Sequence, residues 1–203
     1  MIAIIDYGIG NLFSLKSSFE KIGENVCITA DKKVIKEAER IILPGVGAFE
    51  DAARKLRESG LDSVVLEQTQ AGKPLMGICL GMQMLFERSF EYGEHRGLGL
   101  IKGDIVSMQE RIPAELKIPH MGWNKLDFVG GKDEIFKYLS DGDFVYFVHS
   151  YFGTDCDDAL IATAEYGIPI TAAVRNQNVW GCQFHPEKSG KTGLAILKAF
   201  CEI

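Results

Sequence analysis

No apolar run in the chain approaches the ~20 residues that a membrane helix needs, so no membrane span is expected. Basic residues are not in excess: 22 lysines and arginines stand against 28 aspartates and glutamates, a formal net charge of −6. That balance argues against a nucleic-acid surface and reads as ordinary solubility charge. A paired cysteine framework is also missing. The five cysteines (Cys27, Cys79, Cys156, Cys182 and Cys201) are scattered and odd in number. They fit a reducing cytoplasm better than an oxidising compartment. Met1 to Asp6 is apolar but too short for a secretory leader and has no basic lead, so it reads as a first strand. No linker, repeat or low-complexity stretch interrupts the 203 residues. Residues 1–203 are therefore expected to form a single domain with a sizeable core. Cys182-x-x-His185 has the spacing of a metal-ligand pair, but no second pair accompanies it, and neither a metal nor another cofactor is expected.

What is present is organised around residues 73–83. Pro74 leads into a short apolar run, Leu75 to Ile78, that reads as a buried parallel strand. Leu80, Met84 and Glu87 then recur at helical spacing, which predicts a helix running on to Arg88. Cys79 stands at the joint with Gly77 and Gly81 two residues to either side. This is the G-x-nucleophile-x-G arrangement with cysteine in the serine place. The strand-to-helix turn is sharp enough that its flanking residues must lack a Cβ, and it lifts the central side chain above the sheet edge. A cysteine at a helix N-terminus is placed where the thiolate is favoured. The N–H of Leu80 is available to an oxyanion there. A buried core cysteine between two packing glycines is the plainer alternative.

The rest of the first ninety residues alternates strand and helix. Strands are predicted over Ile2–Ile5, Val26–Thr29 and Arg40–Leu43. Helices are predicted from Asn11 or Ser14 to Ile22, from Asp31 to Ala38, from Ala48 to Glu58, and from Leu61 to Ala71. This order argues for a parallel sheet with helices on both faces. Gly8-x-Gly10 follows the first strand, but Phe13 occupies the place of the third glycine that a dinucleotide fingerprint requires. Pro44-Gly45-Val46-Gly47 follows the third strand, and its glycines let backbone N–H groups approach a ligand. Loops at the C-terminal ends of parallel strands gather at one sheet edge, so both glycine loops and Cys79 are expected to border one cleft.

Beyond Phe90 helices give way to short strands, expected over Ile105–Met108, Lys125–Phe128, Asp143–Tyr151, Leu160–Glu165, Thr171–Arg175 and Val179–Gln183. A short helix is expected over Ile135–Leu139 and a closing one over Ser189–Cys201. Pro119 to Asn124, with His120, Met121 and Trp123, reads either as an exposed recognition loop or as a turn packed on the core. Four histidines are candidates for the base that a cysteine nucleophile needs: His95, His120, His149 and His185. His185 is the strongest. Pro186 holds it at a strand tip, and Glu187 is close enough in sequence to orient the ring.

Gly77 to Gln83, taken with Gln183 to Glu187, resembles the class I glutamine amidotransferases. Within them, Asp6–Asn11, Leu43–Gly47, Pro119–Asn124 and Phe147–Tyr151 resemble the glutaminase subunits of imidazole glycerol phosphate synthases. The resemblance implies a flavodoxin-like α/β fold, a mostly parallel central sheet flanked by helices, with an antiparallel extension. It implies a Cys79–His185–Glu187 triad that hydrolyses L-glutamine. Leu80, Val46 and Gly47 then match the oxyanion donors, and Gly45, Gln83, Glu91, Ser150 and Tyr151 the substrate-holding positions. It also implies a (β/α)8 cyclase subunit as partner, with ammonia passing between the two. Asn11, Pro119, Met121, Trp123, Tyr146 and Lys188 match the surface facing that partner. The competing readings are a related subunit that supplies ammonia for surface-sugar amidation, a stand-alone cysteine hydrolase of the same fold, and a catalytically silent binding module.

Overall fold

The computed structural model describes residues 1–109 and 111–203. Four largely apolar tetrapeptides open it: β1 (Ile2–Ile5), β2 (Val26–Thr29), β3 (Arg40–Leu43) and, further on, β4 (Leu75–Ile78). They pair in parallel, in the order β2-β1-β3-β4. Between them lie α1 (Leu12–Lys21), α2 (Lys32–Glu37), α3 (Phe49–Glu58) and α4 (Leu61–Gln70). Strand alternation divides the core into two layers. Ile2 and Ile4 pack with Leu15 and Phe19 of α1 on one face. Ala3 and Ile5 pack with Ile35 of α2, Phe49 and Leu56 of α3, and Val65 of α4 on the other. In α3 the buried residues Phe49, Ala52, Ala53 and Leu56 follow the helical repeat, so one stripe of the helix seals that face. Asp31 caps α2, accepting from the N–H of Lys33 at 2.8 Å. Asn11 occupies the N-cap place of α1, but its side chain makes no capping bond there.

The chain then departs from helical expectation. α5 spans only Leu80–Leu85, and Phe86–Ser89 is a strand, β5. Phe86 is fully buried and pairs with Ile101 of β7 (Ile101–Ser107), with β6 (His95–Arg96) on the other side of β5. The N–H groups of Leu100 and Gly99 take the carbonyls of Leu85 and Phe86, which ends the helix two residues before Glu87. Pro119–Asn124 is not a loop either, since His120–Lys125 forms β8 and only Asp127–Phe128, β9, remains of the strand expected there. The Asp143–Tyr151 run splits into β10 (Phe144–His149) and β11 (Tyr151–Thr154), which belong to different sheets: β10 pairs with β8, and β11 with β7. A 3-10 turn over Glu134–Phe136 replaces the short helix expected at Ile135–Leu139.

β12 (Leu160–Glu165), β13 (Pro169–Asn176) and β14 (Val179–Cys182) form the antiparallel meander, and α6 (Gly190–Cys201) closes the chain. Among the described residues the main sheet has eight strands in the order β2-β1-β3-β4-β14-β13-β12-β9. β14 joins β4 in parallel with Cys182 opposite Ile78, which is the pairing that positions the site. α6 packs Ile196, Leu197 and Phe200 into the same layer as α1. No helix among the described residues is long and apolar enough to cross a membrane.

Candidate active site

The site is built where β4 and β14 end side by side. The N–H of Cys79 donates to the carbonyl of Cys182 at 2.7 Å, so the last bond of the parallel ladder fixes the backbone of Cys79. Cys79 itself has φ +54° and ψ −112°, a conformation that L-residues rarely adopt. The glycines explain how the turn closes. A Cβ on Gly81 would lie 1.9 Å from the carbonyl oxygen of Leu43, and one on Gly77 would lie 2.7 Å from that of Gly81. Gly45 is drawn into the same packing, its hypothetical Cβ 2.7 Å from the N of Gly81. Gly45 therefore lies beneath the elbow, while its neighbours Val46 and Gly47 are exposed and form part of the cleft wall.

Three residues after β14 the chain presents His185. Its N–H donates to the carbonyl of Tyr146 at 2.9 Å, and its carbonyl accepts from Ser189 Oγ at 2.6 Å. The ring donates from Nδ1 to Glu187 Oε1 at 2.8 Å, and it lines the same cleft as Cys79. Burial opposes a charge on the ring, but the neighbouring Cys79 and Glu187 side chains outweigh it and raise the His185 pKa to about 9. The imidazole is thus prepared to hold the proton a thiol gives up, and Glu187 fixes which nitrogen faces the sulfur. Cys79, distant in sequence, and the bonded His185–Glu187 pair are thus brought to one cleft.

A cleft of about 500 Å³ opens over them. Leu80, Gln83, Glu91, Ser150 and Tyr151 line it with Cys79, His185, Val46 and Gly47. Leu80 is the first residue of α5, where a backbone N–H has no intrahelical partner. Glu91 is held in place by the N–H of Phe49 at the start of α3, 2.6 Å from its Oε2. Gln83 is buried with its Nε2 committed inward, to the carbonyl of Tyr151 at 3.1 Å and to Gln183 Oε1 at 3.0 Å. Pro119 and Lys188 form one rim of the cleft. From that rim an aromatic patch extends outward. Trp123 and Met121 are 54% and 64% exposed, Trp123 meets Tyr146 edge-on with centroids 6.1 Å apart, and Lys188 Nζ sits 5.8 Å from the centre of the Tyr146 ring. Asn11 is half-buried at the start of α1 and does not line the cleft. His95 lies away from it, in β6. Among the described residues no group of three or more His, Cys, Asp and Glu side chains is arranged to hold a metal ion.

Sequence reasoning placed His120 and His149 on separate segments and missed that they form a pair. β8 and β10 put them directly opposite each other. His149 Nδ1 donates to the carbonyl of Tyr151 at 2.8 Å, so its Nε2 accepts from His120 Nδ1 at 3.0 Å. Burial lowers the pKa of His149 to about 3 and that of His120 to about 4, so both rings are neutral at physiological pH. The unfolded chain takes up these protons near pH 6.5 and the folded chain does not, so the unfolded state binds more protons in the interval. Folding stability is expected to fall as pH drops from about 6.5 towards 4. Denaturant midpoints at pH 5 and pH 7 measure this, and His149→Phe combined with His120→Phe should flatten the dependence. The alternation of His120 with the exposed Met121 and Trp123 was the available signal, legible only once the segment is treated as a strand.

The family model described as Glutamine amidotransferase class-I matches residues 3–203. The chain is 48% identical over 204 residues to the imidazole glycerol phosphate synthase subunit HisH of Oceanobacillus iheyensis, covering 100% of this chain and 99% of that protein. It is 50% identical over 202 residues to the subunit of the same name from Lactococcus lactis subsp. lactis, covering 99% and 98% respectively. Among solved structures, a crystal structure of a glutamine amidotransferase superposes with a TM-score of 0.77 at 18% identity, covering 100% of this chain and 98% of that one. A structure of PurLQS from Thermotoga maritima superposes with a TM-score of 0.74 at 22% identity, covering 99% and 97%. These two likenesses concern the fold, whereas the family match spans nearly the whole chain, including the elbow at Cys79 and the His185–Glu187 pair. The chain belongs to the class-I glutamine amidotransferase family.

Proposed function

We propose that this protein is the glutaminase subunit of an imidazole glycerol phosphate synthase, hydrolysing L-glutamine and delivering the ammonia to a (β/α)8 cyclase subunit in histidine biosynthesis. The observation that carries the proposal is the convergence of Cys79 with the bonded His185–Glu187 pair at a cleft large enough for an amino acid, in a chain nearly half identical to imidazole glycerol phosphate synthase subunits. Residues 1–203 act in this reading as one domain, working in the cytoplasm.

The geometry supports the following chemistry. Cys79 sulfur attacks the side-chain amide carbon of glutamine as its proton passes to His185. The tetrahedral oxyanion is met by the Leu80 N–H at the head of α5 and by N–H groups of the Val46–Gly47 turn. His185 returns its proton to the amide nitrogen, the C–N bond breaks, and ammonia leaves a γ-glutamyl thioester on Cys79. A water that gives its proton to His185 then attacks the thioester, and glutamate departs as the thiol is restored. Glu187 keeps the imidazolium paired through both transfers. Gln83, Glu91, Ser150 and Tyr151 hold the amino-acid end of the substrate.

The aromatic patch of Met121, Trp123 and Tyr146 adjoins the cleft through Lys188, which lines the cleft and lies over the Tyr146 ring, and it fits a partner surface. Trp123→Ala is expected to weaken cyclase binding by about 1 kcal/mol or more, as truncated interface aromatics do. Titration of the complex measures this, and unchanged affinity with unchanged stimulation removes Trp123 from the interface. The decisive assay is glutamate release with and without the cyclase and its nucleotide substrate. Slow release alone and a large rise with both is expected; no release under either condition overturns the proposal.

A further inference from the structure

Gln183 takes no part in the steps above, yet it reaches the sulfur that does. It follows β14, is fully buried, and its backbone N–H donates to the carbonyl of Ala172 at 2.9 Å. Its Nε2 lies 3.8 Å from Cys79 Sγ, within reach of an N–H···S bond. Its Oε1 accepts from Gln83 Nε2 at 3.0 Å. The direction of this amide is forced. Turned over, Gln183 would set its NH2 against the NH2 of Gln83 and its oxygen against the sulfur, losing both bonds. Gln83 is fixed in turn by the Tyr151 carbonyl, 3.1 Å from its Nε2, and that same carbonyl accepts from His149 at 2.8 Å. His149 is bonded to His120, and Asn124 Nδ2 lies 3.4 Å from His120 Nε2. One tautomer of each histidine satisfies every link: Asn124 donates to His120, His120 to His149, and His149 to Tyr151. The chain runs unbroken from β8, which also carries Met121 and Trp123, to the nucleophile.

We propose that Gln183 is a further catalytic residue, whose amide N–H stabilises the Cys79 thiolate and whose orientation is set by the buried chain through Gln83, Tyr151, His149 and His120. A neutral thiol is a weak acceptor and a thiolate a strong one, so the bond favours the ionised nucleophile before attack and again as thiolate leaves the acyl group. The inference deepens the proposed glutaminase reading and rests on Cys79 being its nucleophile. Its primary test does not depend on glutamine.

The experiment is alkylation of Cys79 by iodoacetamide, followed peptide by peptide across a pH series, in the full-length protein and two variants. Gln183→Met keeps the volume and removes the donor. Gln183→Glu keeps an acceptor for Gln83 but places no N–H on the sulfur. Each is checked by melting before use; if Gln183→Glu does not fold, Gln183→Met carries the test. Both are expected to alkylate roughly ten-fold more slowly than wild type at neutral pH, the loss of one hydrogen bond to a charged group. The difference should vanish at alkaline pH, where the thiol is ionised without help. In glutamine hydrolysis kcat should fall by a similar factor with KM nearly unchanged. Wild-type alkylation at neutral pH in a folded variant overturns the proposal, and so does slowing by one factor at every pH, which would indicate obstruction rather than lost stabilisation. Normal alkylation behaviour in a wild-type protein that releases no glutamate would sink the glutaminase reading alone, leaving the role of Gln183 to be decided by the variants.

Discussion

Cys79→Ala is expected to abolish glutamine hydrolysis, lowering kcat by roughly 10⁴-fold or more, the usual result of deleting the nucleophile from a set that acts as a unit. The fold should survive the change. Cys79 is largely buried but holds its place through its backbone N–H, which donates to Cys182, and alanine keeps that bond. No other cysteine can take over: Cys27 lies in β2, at the edge of the sheet three strands from β4, and burial raises its thiol. Cys182 is fully buried on the sheet, and burial pushes its thiol far up. Cys201 lies at the end of α6, with burial raising its thiol to about 12. Cys156 is buried beside Thr171, its thiol likewise raised by burial. Release of glutamate by the purified variant, alone and with the cyclase, is the measurement. A rate within ten-fold of wild type means that another group performs the chemistry, and the mechanism above fails at its first step.

The cysteine elbow was legible in the sequence because its signal is local. Two glycines flanking a cysteine at the junction of an apolar run and a helical repeat describe a turn that only a few residues control. The parallel strands were legible for a related reason: runs such as Ile2–Ile5 are buried on both faces, so they are apolar at every position. Where the reading failed, the deciding interactions were non-local. Leu80 to Arg88 carries a helical stripe, but Phe86 finds a strand partner in Ile101 and the helix stops short. The Asp143–Tyr151 run reads as one strand because nothing in it reveals that Ser150 turns the chain from β8 towards β7. The same blindness hid the His120–His149 pair, since neither residue is informative until β8 and β10 are laid side by side. Gln183 sits inside a recognised segment, but its contact with the sulfur depends on the parallel pairing of β14 with β4.

Gly81→Ala is expected to cost the protein several kcal/mol and most of its active fold, and the reason lies in which atoms are in the way. The added Cβ would stand 1.9 Å from the carbonyl oxygen and 2.8 Å from the carbonyl carbon of Leu43, and 3.2 Å from the carbonyl carbon of Pro44. These are backbone atoms at the end of β3, so no rotamer change relieves the clash. Either β3 or α5 must move. Moving α5 drags the Leu80 N–H and Cys79 away from His185, while moving β3 displaces the Val46–Gly47 turn. Gly72→Ala provides the comparison. Gly72 has φ +89° and nothing within 4 Å of its hypothetical Cβ, so it bears only conformational strain, about 1–2 kcal/mol for an L-residue on the left-handed side. It lies after α4, away from the cleft-lining residues. Denaturant midpoints should therefore drop far more for Gly81→Ala than for Gly72→Ala, and only the first should lose glutaminase activity at temperatures where both remain folded. Equal destabilisation by the two substitutions, with activity retained in both, would mean that β3 and α5 are not in the close contact on which the elbow depends.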